Sequence, residues 1–178
     1  LRKHFNFATN LRPSKIYPSL KKICPLREDL ITGESEIDIL CVRELSEDIY
    51  FGKHHTEGEM GHRKAIDVMT YHEKTIEAIA HTAFQAAQRR KKKVTSVDKA
   101  NGLDCSKLWR EVVSKVAKKY PDCTLEHELV DLCAMKLLQE PSSYDVLLAP
   151  NMFGDILSDE ISIFSGSLGM LPSASLNN

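Results

Sequence analysis

The chain has 178 residues, 42% hydrophobic and 28% charged, with a formal net charge of -1, enough to build one substantial core. So balanced a charge leaves no global field to draw nucleic acid, and no apolar run nears the roughly 20 residues that span a bilayer, so neither nucleic acid nor membrane is expected as a partner. Five cysteines, an odd number without a C-x-x-C pair, fit free thiols in a reducing cytoplasm better than a disulfide framework.

Leu1-Arg2-Lys3-His4 is neither a signal peptide nor an initiating methionine, which suggests a start in mid-protein. Ile37 to Leu45 is a continuous β-branched and apolar run, the pattern of a strand buried on both faces. Gly52 to Thr70 is polar and without period, either a loop or a two-stranded arm. Glu73 to Gln88 carries Ile76, Ile79, Ala80, Ala83, Phe84 and Ala87 at helical spacing. The basic run Arg89-Arg90-Lys91-Lys92-Lys93 then reads as a helix C-terminus and a solvated turn. Val94 to Val97 reads as a strand, Asp104 as the cap of a helix with the face Leu108, Trp109, Val112, Val113 and Val116. A short strand near Thr124, a helix from about Leu129 to Leu138 and the strand Val146 to Ala149 follow. Alternation of strand and helix predicts an α/β layer fold. There is no G-x-G-x-x-G fingerprint.

The chemistry gathers where strands end. Asn151 to Asp159 places Asp155 and Asp159 four residues apart, on one face of a helix starting near Gly154, beside the carboxyl end of a strand. Two carboxylates so placed suit a hard cation, Mg²⁺ or Mn²⁺, although such a pair is also an ordinary solvated helix face. Arg43 ends the Ile37 strand, Asp98 and Lys99 end the next, and Asp131 follows the Thr124 strand. Arg2, Arg12 and Arg43 offer three planar forks for carboxylates, which points to a polycarboxylic acid. Asp131 joins Asp155 and Asp159 as a candidate metal ligand, and Lys99 is a candidate base. His54, His55 and His62 lack partners at zinc spacing.

Five segments together resemble a known family: Asn10 to Pro13, Val42 to Leu45 with Ile49 to Gly52, Ser96 to Asn101, Asn151 to Asp159, and Gly166 to Leu176. The resemblance is to the metal-dependent β-decarboxylating dehydrogenases, the isocitrate/isopropylmalate dehydrogenase family, on its leucine-biosynthetic branch. It runs through the whole chain and implies an isopropylmalate-dehydrogenase-like fold with a mixed sheet flanked by helices. It further implies an internal fragment, with residues 1–8 ending a first-domain segment, 9–165 forming a second domain with a dimer interface and an arm at about 52–70, and 166–178 returning to the truncated cofactor domain.

The implied activity is NAD-dependent oxidation and decarboxylation of (2R,3S)-3-isopropylmalate to 4-methyl-2-oxopentanoate in a cytoplasmic homodimer whose active site is shared between subunits. By the same resemblance, Arg2, Arg12 and Arg43 bind substrate carboxylates, Asp155 and Asp159 hold Mg²⁺ or Mn²⁺, and Asp131 and Lys99 come from the other subunit, Asp131 contacting both metal and substrate. Lys99 is the base, Tyr50 the general acid and Asn101 a neighbour of the nicotinamide, while the loop that grips the adenosine of NAD lies after Asn178. One departure stands out: Ser46-Glu47-Asp48 replaces the branch's usual Thr-Gly-Gly and resembles the isocitrate branch. It puts two acids where glycine would have supplied backbone freedom. Isocitrate or another 2-hydroxy acid therefore stays open as substrate, as does a different role, a non-catalytic dimerisation module without dehydrogenase activity.

Overall fold

A computed structural model describes residues 2–31, 37–166 and 168–177, with the side chains of Arg2, Lys3 and Leu168 left out. Among them run α1 (Arg2–Phe5), β1 (Thr9–Lys15), α2 (Glu28–Ile31), β2 (Asp38–Glu44), β3 (His54–Glu57), β4 (Lys64–Asp67), α3 (Glu73–Gln88), β5 (Lys93–Asp98), α4 (Asp104–Ala117), β6 (Thr124–Leu129), α5 (Val130–Gln139), β7 (Val146–Ala149), α6 (Asn151–Ser162) and β8 (Ala174–Leu176). The main sheet has the order β6-β5-β7-β2-β1-β8. Its first four strands are mutually parallel, while β1 is antiparallel to both β2 and β8.

Period-two alternation divides each strand between two cores. Val42, Val146 and Leu148 pack with Ile76, Phe84, Trp109 and Val113 of α3 and α4. Ile39, Cys41, Leu147 and Ala149 pack on the other face with Cys133 and Leu137 of α5 and with Leu157 and Ile161 of α6. Helices on both faces explain why β7 and residues 39–42 of β2 read as unbroken apolar runs.

The polar excursion after Gly52 contains a separate two-stranded ribbon, with His54 opposite Asp67 and Glu57 opposite Lys64. The basic run is spent on ion pairs. Arg90 donates from Nε to Asp145 at 2.7 Å and from Nη2 to Asp38 at 2.8 Å, while Lys93 reaches Glu126 at 2.8 Å. All five cysteines are unbridged, and burial pushes the Cys41 thiol up to about 12. Among the described residues no helix is long and apolar enough to cross a membrane.

Two expected helix starts are displaced. Asp104 is not a cap: Leu103 precedes the helix, and the Asp104 carboxylate, in the first turn, pairs with Lys107 at 2.7 Å. The acidic helix begins at Asn151, directly after Pro150, not near Gly154. Proline's fixed φ, here -55°, sets an extended residue from which the helix departs at once.

Candidate functional site

Arg43 sits at the carboxyl end of β2 opposite Asn10 of β1, and Arg12 sits opposite Cys41. Because alternate residues share a face, Arg43, Arg12 and Asn10 stand on the same side as Cys41, beneath α6. Arg43 is only 1% exposed. A cation so enclosed must be paired, and it is: Nε and Nη2 donate to Asn151 Oδ1 at 3.1 and 2.8 Å, and Nη1 donates to Asp155 Oδ1. α6 can lie this close because residue 154 is glycine; a Cβ there would stand 2.8 Å from Arg43 Cγ and 3.3 Å from Ala149 Cβ.

The second oxygen of Asp155 accepts the Tyr50 hydroxyl at 3.2 Å. Tyr50 lies in the turn after β2 and is exposed. Partial desolvation and then the Asp155 charge raise its phenol above the ordinary value, with Arg43 opposing them. Asp159 is also exposed, one turn along α6 from Asp155. Arg12 is anchored differently, donating from Nε to Asn10 Oδ1 at 3.0 Å, while Asn10 Nδ2 donates to Ser173 Oγ at 3.0 Å and Ala174 O at 3.1 Å. The side chain of Arg2 lies outside the described residues.

A second group forms at the ends of β5 and β6. Lys99 donates to Asp131 at 2.5 Å, and that hydrogen bond holds the Asp131 carboxyl below its usual range. The turn carrying Lys99 is fixed from behind: fully buried Asp98 accepts Arg110 Nε and Nη2 at 2.8 and 2.9 Å and the Ala100 N–H at 2.9 Å, while Lys99 N–H donates to Ser106 Oγ at 3.0 Å. Asn101 lies exposed in that turn.

Within one chain the structure therefore joins Arg43, Asp155 and Tyr50 in one group and Lys99 with Asp131 in another. Asp131 does not meet Asp155 and Asp159, and among the described residues no three His, Cys, Asp or Glu side chains converge as a metal site. The oxygen-only donors of Asp155 and Asp159 nevertheless have the chemistry of a hard-cation site that a further ligand from elsewhere could complete. Three participants were not legible as such in the sequence. Asn151 bridges Arg43 to the Glu47 carbonyl, to which its Nδ2 donates at 3.0 Å. Tyr71 accepts the Asn151 N–H at 2.8 Å, and Asp48 accepts both the Tyr71 hydroxyl and the Met152 N–H. The one local signal is an asparagine that opens α6 directly after a proline.

The family model described as isocitrate/isopropylmalate dehydrogenase matches residues 1–178. The chain is 54% identical over 178 residues to the 3-isopropylmalate dehydrogenase of Salmonella typhimurium, covering 99% of this chain and 48% of that protein. Identity to the enzyme of that name from Escherichia coli K12 is 53% at the same coverage. It thus spans about half the length of these curated relatives. Among solved structures, the TT0538 protein of Thermus thermophilus superposes with a TM-score of 0.85 at 32% identity, covering 99% of this chain and 34% of that one. The isocitrate dehydrogenase of Methylococcus capsulatus gives 0.84 at 33% identity, covering 98% of this chain and 50% of that one. Sheet order, helices on both faces and a family match over residues 1–178 agree, and the chain belongs to the isocitrate/isopropylmalate dehydrogenase family.

Proposed function

We propose that the protein containing this chain oxidises (2R,3S)-3-isopropylmalate with NAD⁺ and decarboxylates the product to 4-methyl-2-oxopentanoate, the leucine-biosynthetic reaction. The observation that carries this reading is the constellation of buried Arg43, Asp155 and Tyr50 at the carboxyl edge of the sheet. It combines a carboxylate-binding fork, a hard oxygen donor and a phenol hydroxyl able to donate a proton. The names of the relatives at 53–54% identity favour isopropylmalate, whereas the isocitrate dehydrogenase noted above stands at 33%. A non-catalytic dimerisation module is not favoured.

In this reading Arg43 and Arg12, with Arg2, bind the substrate carboxylates. Asp155 and Asp159 hold Mg²⁺ or Mn²⁺ together with Asp131 of a second copy. When bound, the cation supplies positive charge against the oxygen anions that develop on the substrate. Lys99 of the second copy, once it has given up its own proton and left Asp131, takes the proton of the C2 hydroxyl as a neutral amine while hydride leaves for NAD⁺. After CO₂ departs, Tyr50 gives its proton to C3, a role supported by the place of its hydroxyl beside Asp155. Asn101 stands near the nicotinamide.

A homodimer is part of the proposal. Leu132, Met135 and Leu138 recur at helical spacing on α5, and Ile156 and Ile163 add to an apolar face that this chain leaves exposed. A second copy covering that face would bring its Lys99 and Asp131 to Asp155 and Asp159. Residues 1–8 and 166–178 are assigned to the cofactor domain and residues 9–165 to the second domain, in a cytoplasmic enzyme. The 178-residue chain alone is expected to be inactive.

The test is steady-state kinetics of the full-length protein on isopropylmalate and isocitrate with NAD⁺ and NADP⁺, beside a Lys99→Met variant. Preference for isocitrate, or full activity in the variant, sinks the assignment.

A further inference from the structure

Asp48 adopts φ +86°, the left-handed region that is strained for a residue with a side chain. It is also 1% exposed. A buried carboxylate on a strained backbone persists only where its surroundings hold it, and here three donors do. The Ile49 N–H donates to Oδ1 at 2.6 Å, and Oδ2 accepts the Tyr71 hydroxyl at 3.0 Å and the Met152 N–H at 2.9 Å. Met152 belongs to the first turn of α6, whose amides have no partners inside the helix. Asp48 thus caps, from a distant loop, the helix that presents Asp155 and Asp159. Its own peptide is tied into the same loop, its N–H donating to Thr70 O and its carbonyl accepting the Phe51 N–H, both at 3.2 Å.

These bonds close a ring. From Asp48 the path runs through the Tyr71 hydroxyl to the Asn151 amide, from the Asn151 side chain to Arg43, from Arg43 to Asp155, and from Asp155 to Tyr50. Tyr50 is two residues from Asp48 along the chain. We infer that Asp48 is a positioning residue: by bonding Tyr71 and the start of α6 together, it fixes the loop that carries Tyr50 against the helix that carries Asp155. The Ser46-Glu47-Asp48 segment then replaces conformational freedom with a carboxylate tie. This inference rests on the functional reading above for the roles of Tyr50 and Asp155, but the ring itself does not.

The test compares Asp48→Gly, Asp48→Asn and Tyr71→Phe with wild type in the full-length protein. Glycine accepts a positive φ freely, so relief of strain offsets the lost cap and the melting temperature should move by only about 2–4 °C. Loss of the tie should nevertheless lower kcat about tenfold, weaken Mn²⁺ binding read by electron paramagnetic resonance by a similar factor, and speed amide hydrogen exchange in the first turn of α6. Asparagine tolerates the left-handed region and can turn its one oxygen to Tyr71 and Met152 at the cost of the Ile49 bond, so it should recover part of each loss. Tyr71→Phe should follow Asp48→Gly, and it carries the test should that variant unfold. Wild-type kcat, Mn²⁺ affinity and exchange in Asp48→Gly, or losses that Asp48→Asn fails to reduce, overturn the inference. Wild-type protein that fails to turn over isopropylmalate refutes the substrate reading alone, because Mn²⁺ binding and hydrogen exchange still report on the ring.

Discussion

Replacing Gly154 by alanine sets two effects of known sign against each other. Alanine inside a helix is worth about 0.5–1 kcal/mol more than glycine, and residue 154 lies inside α6, so propensity alone predicts a more stable protein. The new Cβ, however, would stand 2.8 Å from Arg43 Cγ and 2.9 Å from Arg43 Cβ. Those atoms are at the root of the side chain, and its far end is pinned by Asn151 and Asp155, so neither end can give way alone. Overpacking of this kind costs about 1–3 kcal/mol. The expected sum is destabilisation by about 1 kcal/mol, or a melting temperature about 2–4 °C lower for a domain of this size. Arg43 would be displaced from its Asn151 and Asp155 partners, so KM for the carboxylate substrate should rise about tenfold. Scanning calorimetry and steady-state kinetics of the full-length variant give both numbers. A higher melting temperature with an unchanged KM would show that Gly154 is only an unoptimised helix position and would refute the close-approach argument.

Trp109 is fully buried, meets Tyr71 edge-on with ring centroids 5.5 Å apart, and donates from Nε1 to Ser96 Oγ at 3.1 Å; Trp109→Ala should cost about 3–5 kcal/mol in denaturant unfolding, and a loss below about 1 kcal/mol would contradict its place in the core. His127 is held below its ordinary value of 6.5 first by desolvation and then by the Arg110 charge. Its unfolded form therefore binds the proton more readily, so its contribution to stability is complete above 6.5 and falls away as pH drops below it. Unfolding free energies measured between about pH 5 and 8 should lose that part of their slope in His127→Gln, and an unchanged slope would exclude His127 as its source. Met135→Glu places a charge in the exposed apolar face of α5 and is expected to shift the full-length protein to a monomer by light scattering with loss of activity; a fully active dimer would move the interface elsewhere.

Much of this architecture can be read from the residues alone. Ile37 to Leu45 and Val146 to Ala149 announce strands covered on both sides, because their apolar runs never alternate, and the stripes of α3 and α4 face the core as their spacing requires. β1 has no such signal: Thr9–Lys15 contains a proline and mostly polar side chains, and the pairing of Arg43 with Asn10 depends on a partner strand elsewhere in sequence. The charged strand ends are visible, and so is the family to which they belong. Asn151 and Tyr71 are harder, because an amide and a phenol have many ordinary uses, and only the fold brings residues 48, 71 and 151 together. The acids at 47 and 48 stand out in the sequence as a conformational cost at glycine positions. The left-handed φ at Asp48 agrees with that expectation, while the bonds that hold it there are tertiary and leave no local trace.

The pairing order of the sheet also bears on how the chain is made. Its central seam joins Leu40 to Val146, and its outer edge joins Thr9 to Leu176. In both pairs the second partner emerges from the ribosome well after the strand that awaits it, across most of the chain's length. Early closure is open to the β3–β4 ribbon, to β1 with β2 and to β5 with β6. The large sheet must wait for β7, so β2 keeps one edge unpaired until that strand has been made. Topology of this kind favours slow folding and leaves the nascent chain dependent on protection from aggregation until β7 has been made.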